Sequence, residues 1–454
     1  MVEQRVRKLN DSPVRPGGRY VLYWLRYHRR AEANHTLLLA ASLANRLELP
    51  LLVFEGLACG TPYANLRRHT FVLEGAAETA ASLRKLGIGY TFYLEQRPGG
   101  IETALSAVLR DAAAVVTDDY PEPLAGPLPA FDLQAWAVDA NCVVPATLIG
   151  QRCYAAYSIR PKIHQLLPQF LKPVEPVRVG RRFPRQEGVL PSLADLAACQ
   201  IDRSVAPATA FRGGRGEAER HLERFLAERL ARYSRDKNQP AAHATSDLSP
   251  YLHFGYISAL EVALAVRDYA GEHRLIADEF LEELLVRREL AFNFARYTRR
   301  VDSLAELPEW ARATLDKHRR DQRDPLYTRE QFESAATCDD LWNATQKELL
   351  LRGKIHGYYR MYWGKKIVEW SAAPEEALAT MIHLHDRYAL DGQDPNTYAN
   401  ILWCLGLHDR PWPERPIFGS VRFMSRAGMQ RKTDVPQYLR EIDDLERTRK
   451  ELAT

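Results

Sequence analysis

Short apolar runs alternate with amphipathic stretches through the first third of the chain. Tyr20–Leu25, Leu51–Phe54, Tyr90–Leu94 and Ala113–Thr117 are rich in β-branched and aromatic residues and too short for helices, which predicts four buried strands. Between them, apolar residues recur at helical spacing over Asn34–Leu47 and Ala76–Leu86. Strands separated by helices of that length pair as parallel crossover units, so a Rossmann-like α/β sheet is expected, ending near residue 150. Over Pro173–Gly216 the periodicity gives way to Pro, Arg and Gly, in Arg181-Arg182-Phe183-Pro184-Arg185 and Gly213-Gly214-Arg215-Gly216, as in a linker. From Glu217 onward helical spacing returns, beginning with Ala218, His221, Leu222, Phe225 and Leu226. The expected organisation is an α/β domain over residues 1–172, a linker over 173–216 and an all-α domain over 217–454.

Composition narrows the class. A chain of 454 residues suits two or three domains. The net charge of +4 is slight, yet basic residues bunch late, at Arg352, Lys354, Arg360, Lys365 and Lys366 and again at Arg422, Arg426, Arg431 and Lys432. Such bunching marks either a solvated face or a phosphate-binding surface. Cys59, Cys142, Cys153, Cys199, Cys338 and Cys404 show neither CxxC pairing nor zinc-ligand spacing, so no metal is expected and a reducing cytoplasm is. The start, Met1-Val2-Glu3-Gln4-Arg5, lacks an apolar signal region, and no run approaches membrane-spanning length. There is no GxGxxG after the first strand and no GxxxxGK[ST], so the familiar phosphate cradles are not indicated.

The chemistry-bearing segments lie in the helical part. Trp342, Trp363 and Trp370 fall in one basic helical stretch, Leu341–Trp370, with Gly357-Tyr358-Tyr359-Arg360-Met361-Tyr362-Trp363 inside it. Trp363 and Trp370 are two turns apart on one face, where aromatic residues as a rule simply pack a core. Thr245-Ser246-Asp247-Leu248-Ser249-Pro250 places hydroxyls at a helix start, where free N–H groups favour a phosphate, although an ordinary Ser/Thr cap with Pro250 in the first turn explains it as well. Phe280-Leu281-Glu282-Glu283-Leu284-Leu285-Val286-Arg287-Arg288-Glu289-Leu290 reads by itself as a helix with solvent-facing ion pairs. Asp391-Gly392-Gln393-Asp394-Pro395-Asn396, then Trp403, then His408-Asp409-Arg410 complete the set.

Taken with Tyr23-Trp24-Leu25-Arg26, Arg30, Glu32, Asn34, Val138-Asp139-Ala140, Tyr154-Ala155-Ala156 and Ile159-Arg160-Pro161-Lys162-Ile163, in this order, these segments resemble a class II cyclobutane-pyrimidine-dimer photolyase of the cryptochrome/photolyase family. The resemblance implies an antenna-type α/β domain and a helical domain that buries FAD. It implies that Tyr233, Thr245, Ser246, Leu248 and Ser249 hold the cofactor, with Arg287 near flavin or substrate phosphate and Arg360 and Asp391 paired beside the isoalloxazine ring. Glu283, Trp403, Tyr358 and Met361 would line the substrate cavity. Trp363, Trp342 and Trp370 would relay electrons in that order, Trp370 being the surface exit. The activity implied is blue-light-driven repair of pyrimidine dimers in UV-damaged DNA, by electron transfer from excited reduced FAD to a flipped-out dimer, in a monomeric enzyme.

One position departs from the family pattern. The family's Leu-Asn-Asp-Arg-Tyr reads Leu384-His385-Asp386-Arg387-Tyr388 here, which puts a titratable ring where an amide faces flavin N5. His385 is therefore expected to accept from the flavin when neutral, and to make flavin chemistry vary between about pH 5 and pH 8. A cryptochrome-like light sensor with little repair activity is the alternative. Such proteins often carry a long C-terminal tail, whereas this chain stops soon after Arg431-Lys432-Thr433-Asp434. An antenna chromophore of the deazaflavin type is left open.

Overall fold

The computed structural model describes residues 3–184 and 190–453. Met1, Val2 and the linker residue Arg185 lie outside them. Six strands form one sheet: β1 (Val6–Lys8), β2 (Tyr20–Leu25), β3 (Leu51–Leu57), β4 (Gly89–Leu94), β5 (Ala112–Asp118) and β6 (Gln134–Val138). The order is β1-β6-β5-β2-β3-β4, all parallel except β1, which runs antiparallel to β6. The four expected strands are present. β1 and β6 lie outside the sequence reading: Val6-Arg7-Lys8 is mostly polar and becomes a strand through pairing with β6, whereas Gln134–Val138, with Ala135-Trp136-Ala137-Val138, is an apolar run as long as two of the expected strands.

Helix His35–Arg46 covers one face of the sheet through Leu37, Ala40, Ala41 and Ala44. Asn34 caps it, its side chain accepting from Leu37 N–H at 3.0 Å, which gives the Asn34 motif a structural role. Helix Gly100–Arg110 covers the other face through Leu105. Helix Leu66–Lys85 begins well before the expected Ala76, capped by Asn65. The remainder is helical, around one large cluster that includes Trp342, Trp363, Ile367, Met381 and Leu402. No helix among the described residues is long and apolar enough to cross a membrane.

Buried arginines tie the sheet part to the helical part. Arg67 donates to the carbonyls of Leu349 at 3.1 Å, Leu350 at 2.6 Å and Tyr388 at 2.5 Å, so it closes the exposed ends of two helices. Arg29 pairs with Glu55 at 2.7 Å and donates to the Phe254 carbonyl at 3.2 Å, while Arg30 reaches the Gly255 carbonyl at 2.9 Å. From the helical side, Glu289 accepts from Val143 N–H at 2.6 Å.

Candidate functional site

The expected single stretch from Leu341 to Trp370 is two helices, Asp340–Arg352 and Gly357–Trp370. Asp339 caps the first by accepting from Trp342 N–H at 2.9 Å, and Gly353, at φ 74°, ends it in the left-handed conformation that favours glycine. Folding one helix against the other sets the indoles in line. Trp363 and Trp342 stack with centroids 6.5 Å apart and planes 5° apart, and Trp342 meets Trp370 edge-on at 6.2 Å. Both inner rings are held by their N–H groups, Trp342 donating to the Trp363 carbonyl at 3.0 Å and Trp363 to Gln346 Oε1 at 2.9 Å. The order Trp363, Trp342, Trp370 is thus continuous. The surface position expected of Trp370 is corrected: it is 4% exposed, covered by Tyr327 at 5.5 Å and by Lys366 at 5.1 Å. Lys365 and Lys366 are buried as well, so this part of the basic bunch is not a solvated face.

One turn before Trp363, Arg360 faces two residues from the next segments. Its Nη1 lies 3.0 Å from His385 Nε2 and 3.7 Å from Asp391 Oδ2, which brings the predicted Arg–Asp pair together with His385 beside it. Burial pushes the His385 imidazole down to about 3, and the Arg360 charge pushes the same way. Burial of the ring, which is 1% exposed, thus works against the titration between pH 5 and 8 that is expected from the sequence. Burial pushes Asp391 up, but Arg360 together with smaller contributions such as the Ser249 hydroxyl and Lys354 more than offsets this and the carboxyl stays below its usual range.

The loop before Ser249 is pinned from two sides. Arg229 donates to the Thr245 carbonyl at 2.7 Å and to Asp247 at 2.9 Å, and Lys354 pairs with the same carboxylate. Asp247 adopts φ 58°, and burial, which would raise its carboxyl, is outweighed by Lys354 and Arg229. Thr245 Oγ1 donates to Asp247 at 3.3 Å, and Ser246 Oγ accepts from Leu248 N–H at 3.4 Å. Helix Ser249–His253 is a short turn with Leu248, not a hydroxyl residue, at its cap; Ser249 Oγ is buried beside the Asp391 carboxylate. His356 borders this loop and was not singled out from sequence. Its Nδ1 accepts from Tyr358 N–H at 3.2 Å while its buried Nε2 lacks a partner among the described residues. Its position before Gly357, as a helix cap, was the available signal.

Glu283 and Arg287 lie on a wide π turn, Glu282–Arg287, which advances the helix phase and leaves both side chains outward while Leu284, Leu285 and Val286 are buried. Glu283 is 45% exposed and accepts from Tyr233 OH at 2.6 Å and from Lys237 Nζ at 2.7 Å. Burial and Glu283 push the Tyr233 phenol up, so it remains a donor. Arg287 is exposed, 3.8 Å from Glu282. Lys237 is a partner that sequence reasoning missed, for want of any motif around it. Trp403, at the end of helix Pro395–Trp403, is partly buried, with Lys365 4.7 Å and Arg422 5.4 Å from its ring centroid, and Tyr358 and Met361 pack on the same core. Burial pushes Lys365 down to about 8. His408 Nδ1 contacts the Tyr154 carbonyl at 2.8 Å, joining two of the sequence segments.

No protein-family model matches the chain. It is 38% identical to the deoxyribodipyrimidine photo-lyase of Methanothermobacter thermautotrophicus over 452 residues, 97% of this chain and 98% of that protein. It is 37% identical to the deoxyribodipyrimidine photo-lyase of Potorous tridactylus, over 97% of this chain and 84% of that one. A class III photolyase from Agrobacterium tumefaciens superposes with a TM-score of 0.68 at 18% identity, over 96% of this chain and 87% of its own, which shows the shared fold. With full-length relatives at this identity, the chain belongs to the deoxyribodipyrimidine photo-lyase family, within the cryptochrome/photolyase group.

Proposed function

We propose that the chain is a class II photolyase that uses light and bound FAD to split cyclobutane pyrimidine dimers in DNA. The observation that carries the reading is the 2.6 Å hydrogen bond from Tyr233 to Glu283, since it joins a residue matched to the cofactor with one matched to the substrate. The residues fit FAD. His385 Nδ1 and His356 Nε2 are buried polar atoms without partners among the described residues, and Arg360 and Lys354 supply positive charge near them. Thr245, Ser246, Leu248 and Ser249 would hold the phosphates, and Arg360, His385 and Asp391 the ring. When bound and reduced, FAD supplies the photoexcited electron that opens the cyclobutane ring and takes the electron back.

The protein's part is orientation and electrostatics. Photolyases are a standard instance of enzymes that extrude the target from the duplex, at a cost of a few kcal/mol that a distorted lesion lowers. Trp403 offers the extruded bases a stacking face, and the Lys365 and Arg422 side chains hold its plane. Glu283 accepts from base N–H groups once these displace Lys237, whose ammonium stays within reach of Glu279 at 2.8 Å. Arg287, Arg410 and Arg431, all exposed, contact flanking phosphates without reading sequence. The stacked indoles form a separate route that reduces oxidised cofactor. Purified protein should show flavin absorbance and, under blue light, restore an oligonucleotide carrying one thymine dimer. A flavin-bound protein that leaves the dimer intact after chemical reduction would favour the light-sensor alternative.

A further inference from the structure

Among the residues matched to the cofactor, His385 is where this chain departs from its family, and its neighbours decide which ring nitrogen carries the proton. A guanidinium has five N–H donors and no acceptor, so Arg360 Nη1, 3.0 Å from His385 Nε2, can only donate to it. Nε2 therefore presents its lone pair. The ring is 1% exposed, and burial together with Arg360 opposes a second proton, so the imidazole is neutral and its one proton sits on Nδ1. The other charged or titratable groups acting on it are Asp391, Asp394 and His253. Asp391 Oδ1 is 3.9 Å from Nε2, beyond hydrogen-bond distance and on the nitrogen that Arg360 already serves. Nδ1 is buried without a partner among the described residues, and a buried donor with no acceptor is costly.

We infer that His385 is a locked donor, presenting Nδ1–H to an acceptor ring nitrogen of the bound flavin and unable to turn round and accept. This rests on the reading that the site holds flavin. It reverses the role expected from sequence, where the neutral ring accepts. An asparagine amide can offer oxygen or NH2 by rotation, whereas Arg360 holds the His385 tautomer in every cofactor state. Two-electron reduction places hydrogen on flavin ring nitrogens that were acceptors, so a locked donor then meets a donor. His385 thereby favours the oxidised cofactor.

The test is proton–nitrogen correlation spectroscopy of isotope-labelled histidine in the purified protein, with and without FAD, from about pH 5 to about pH 8. His385→Asn identifies the resonances by their loss, and His385→Gln does so should the first variant not fold. The expected result is a protonated Nδ1 and a bare Nε2 at every pH, with Nδ1 and its proton shifting when FAD binds. His356 is the internal contrast, since its Nδ1 accepts from a backbone N–H and its proton must sit on Nε2. A proton on Nε2 of His385, titration within that range, or an Nδ1 indifferent to FAD in protein whose absorbance shows bound flavin would overturn the inference. Failure to bind FAD at all overturns the functional reading instead, while the tautomer is still read in the apoprotein. In reductive titration the flavin midpoint potential should move to a more positive value in His385→Asn; an unchanged or more negative one counts against the lock.

Discussion

Trp403 owes its plane to two cations and Glu283 owes its position to a phenol and an ammonium, so each is held by neighbours from distant parts of the chain. Trp403→Ala should weaken binding of dimer-containing DNA by roughly 1 to 3 kcal/mol, the range for base stacking on an aromatic ring, with flavin retained. Titration of labelled DNA checks this, and equal affinity removes Trp403 from the site. Glu283→Gln keeps one acceptor oxygen but loses the charge that faces Lys237, so repair yield per absorbed photon should fall more than affinity does. A fall confined to affinity would make Glu283 a binding residue only. These residues stand out in the sequence because they sit in motifs. Lys237 does not, since nothing local marks a side chain whose partners, Glu279 and Glu283, are tens of residues away.

At the scale of elements, the break at Gly353 converts one basic, aromatic stretch into two helices and so builds the Trp363–Trp342–Trp370 stack. Trp363→Phe should abolish light-driven reduction of oxidised flavin while chemically reduced enzyme still repairs DNA. Photoreduction at the wild-type rate, followed by absorbance, would show that electrons enter elsewhere. The order of the indoles is legible from spacing and resemblance, but the burial of Trp370 is not. Its cover comes from Tyr327, on a separate segment, and from Lys366, whose ammonium lies 5.1 Å over the ring and pairs with Glu369 at 2.7 Å. A lysine in a sequence reads as solvated until such a pair is seen.

The whole molecule depends on contacts between the sheet part and the helical part. Arg67→Ala leaves the Tyr388 carbonyl without its donor, while Leu349 keeps Gly353 N–H at 3.0 Å and Leu350 keeps Arg449 at 3.4 Å, and should lower stability by on the order of 2 kcal/mol, read as a lower thermal midpoint. Glu289 at the same junction is pushed up to about 8, chiefly by burial, from an ordinary 4.5. A carboxyl raised on folding stabilises the protein fully below its unfolded value, and that contribution is lost as pH rises through the folded one. The Glu289 contribution should therefore decline between about pH 4.5 and pH 8, against the opposite trend that buried histidines with lowered values, such as His356 and His408, add below the ordinary histidine value. Glu289→Gln, neutral throughout, should flatten the decline and be the more stable form at the alkaline end. Denaturant unfolding of both proteins across that range decides it, and parallel curves would mean that Glu289 does not govern the junction's pH response.

Periodicity and motif order by themselves determined the α/β-then-helical plan, four of the six strands, the indole set and the family resemblance, because each is written in neighbouring residues. Tertiary structure alone decided the rest. β1 exists through pairing, Trp370 is buried by a distant tyrosine, and Asn34 and Arg30 serve the fold. His385 illustrates the physical reason best. Sequence specifies that an imidazole is present, but protonation depends on how much water reaches the ring and on which donor stands 3.0 Å away, and both are set by packing between separate helices.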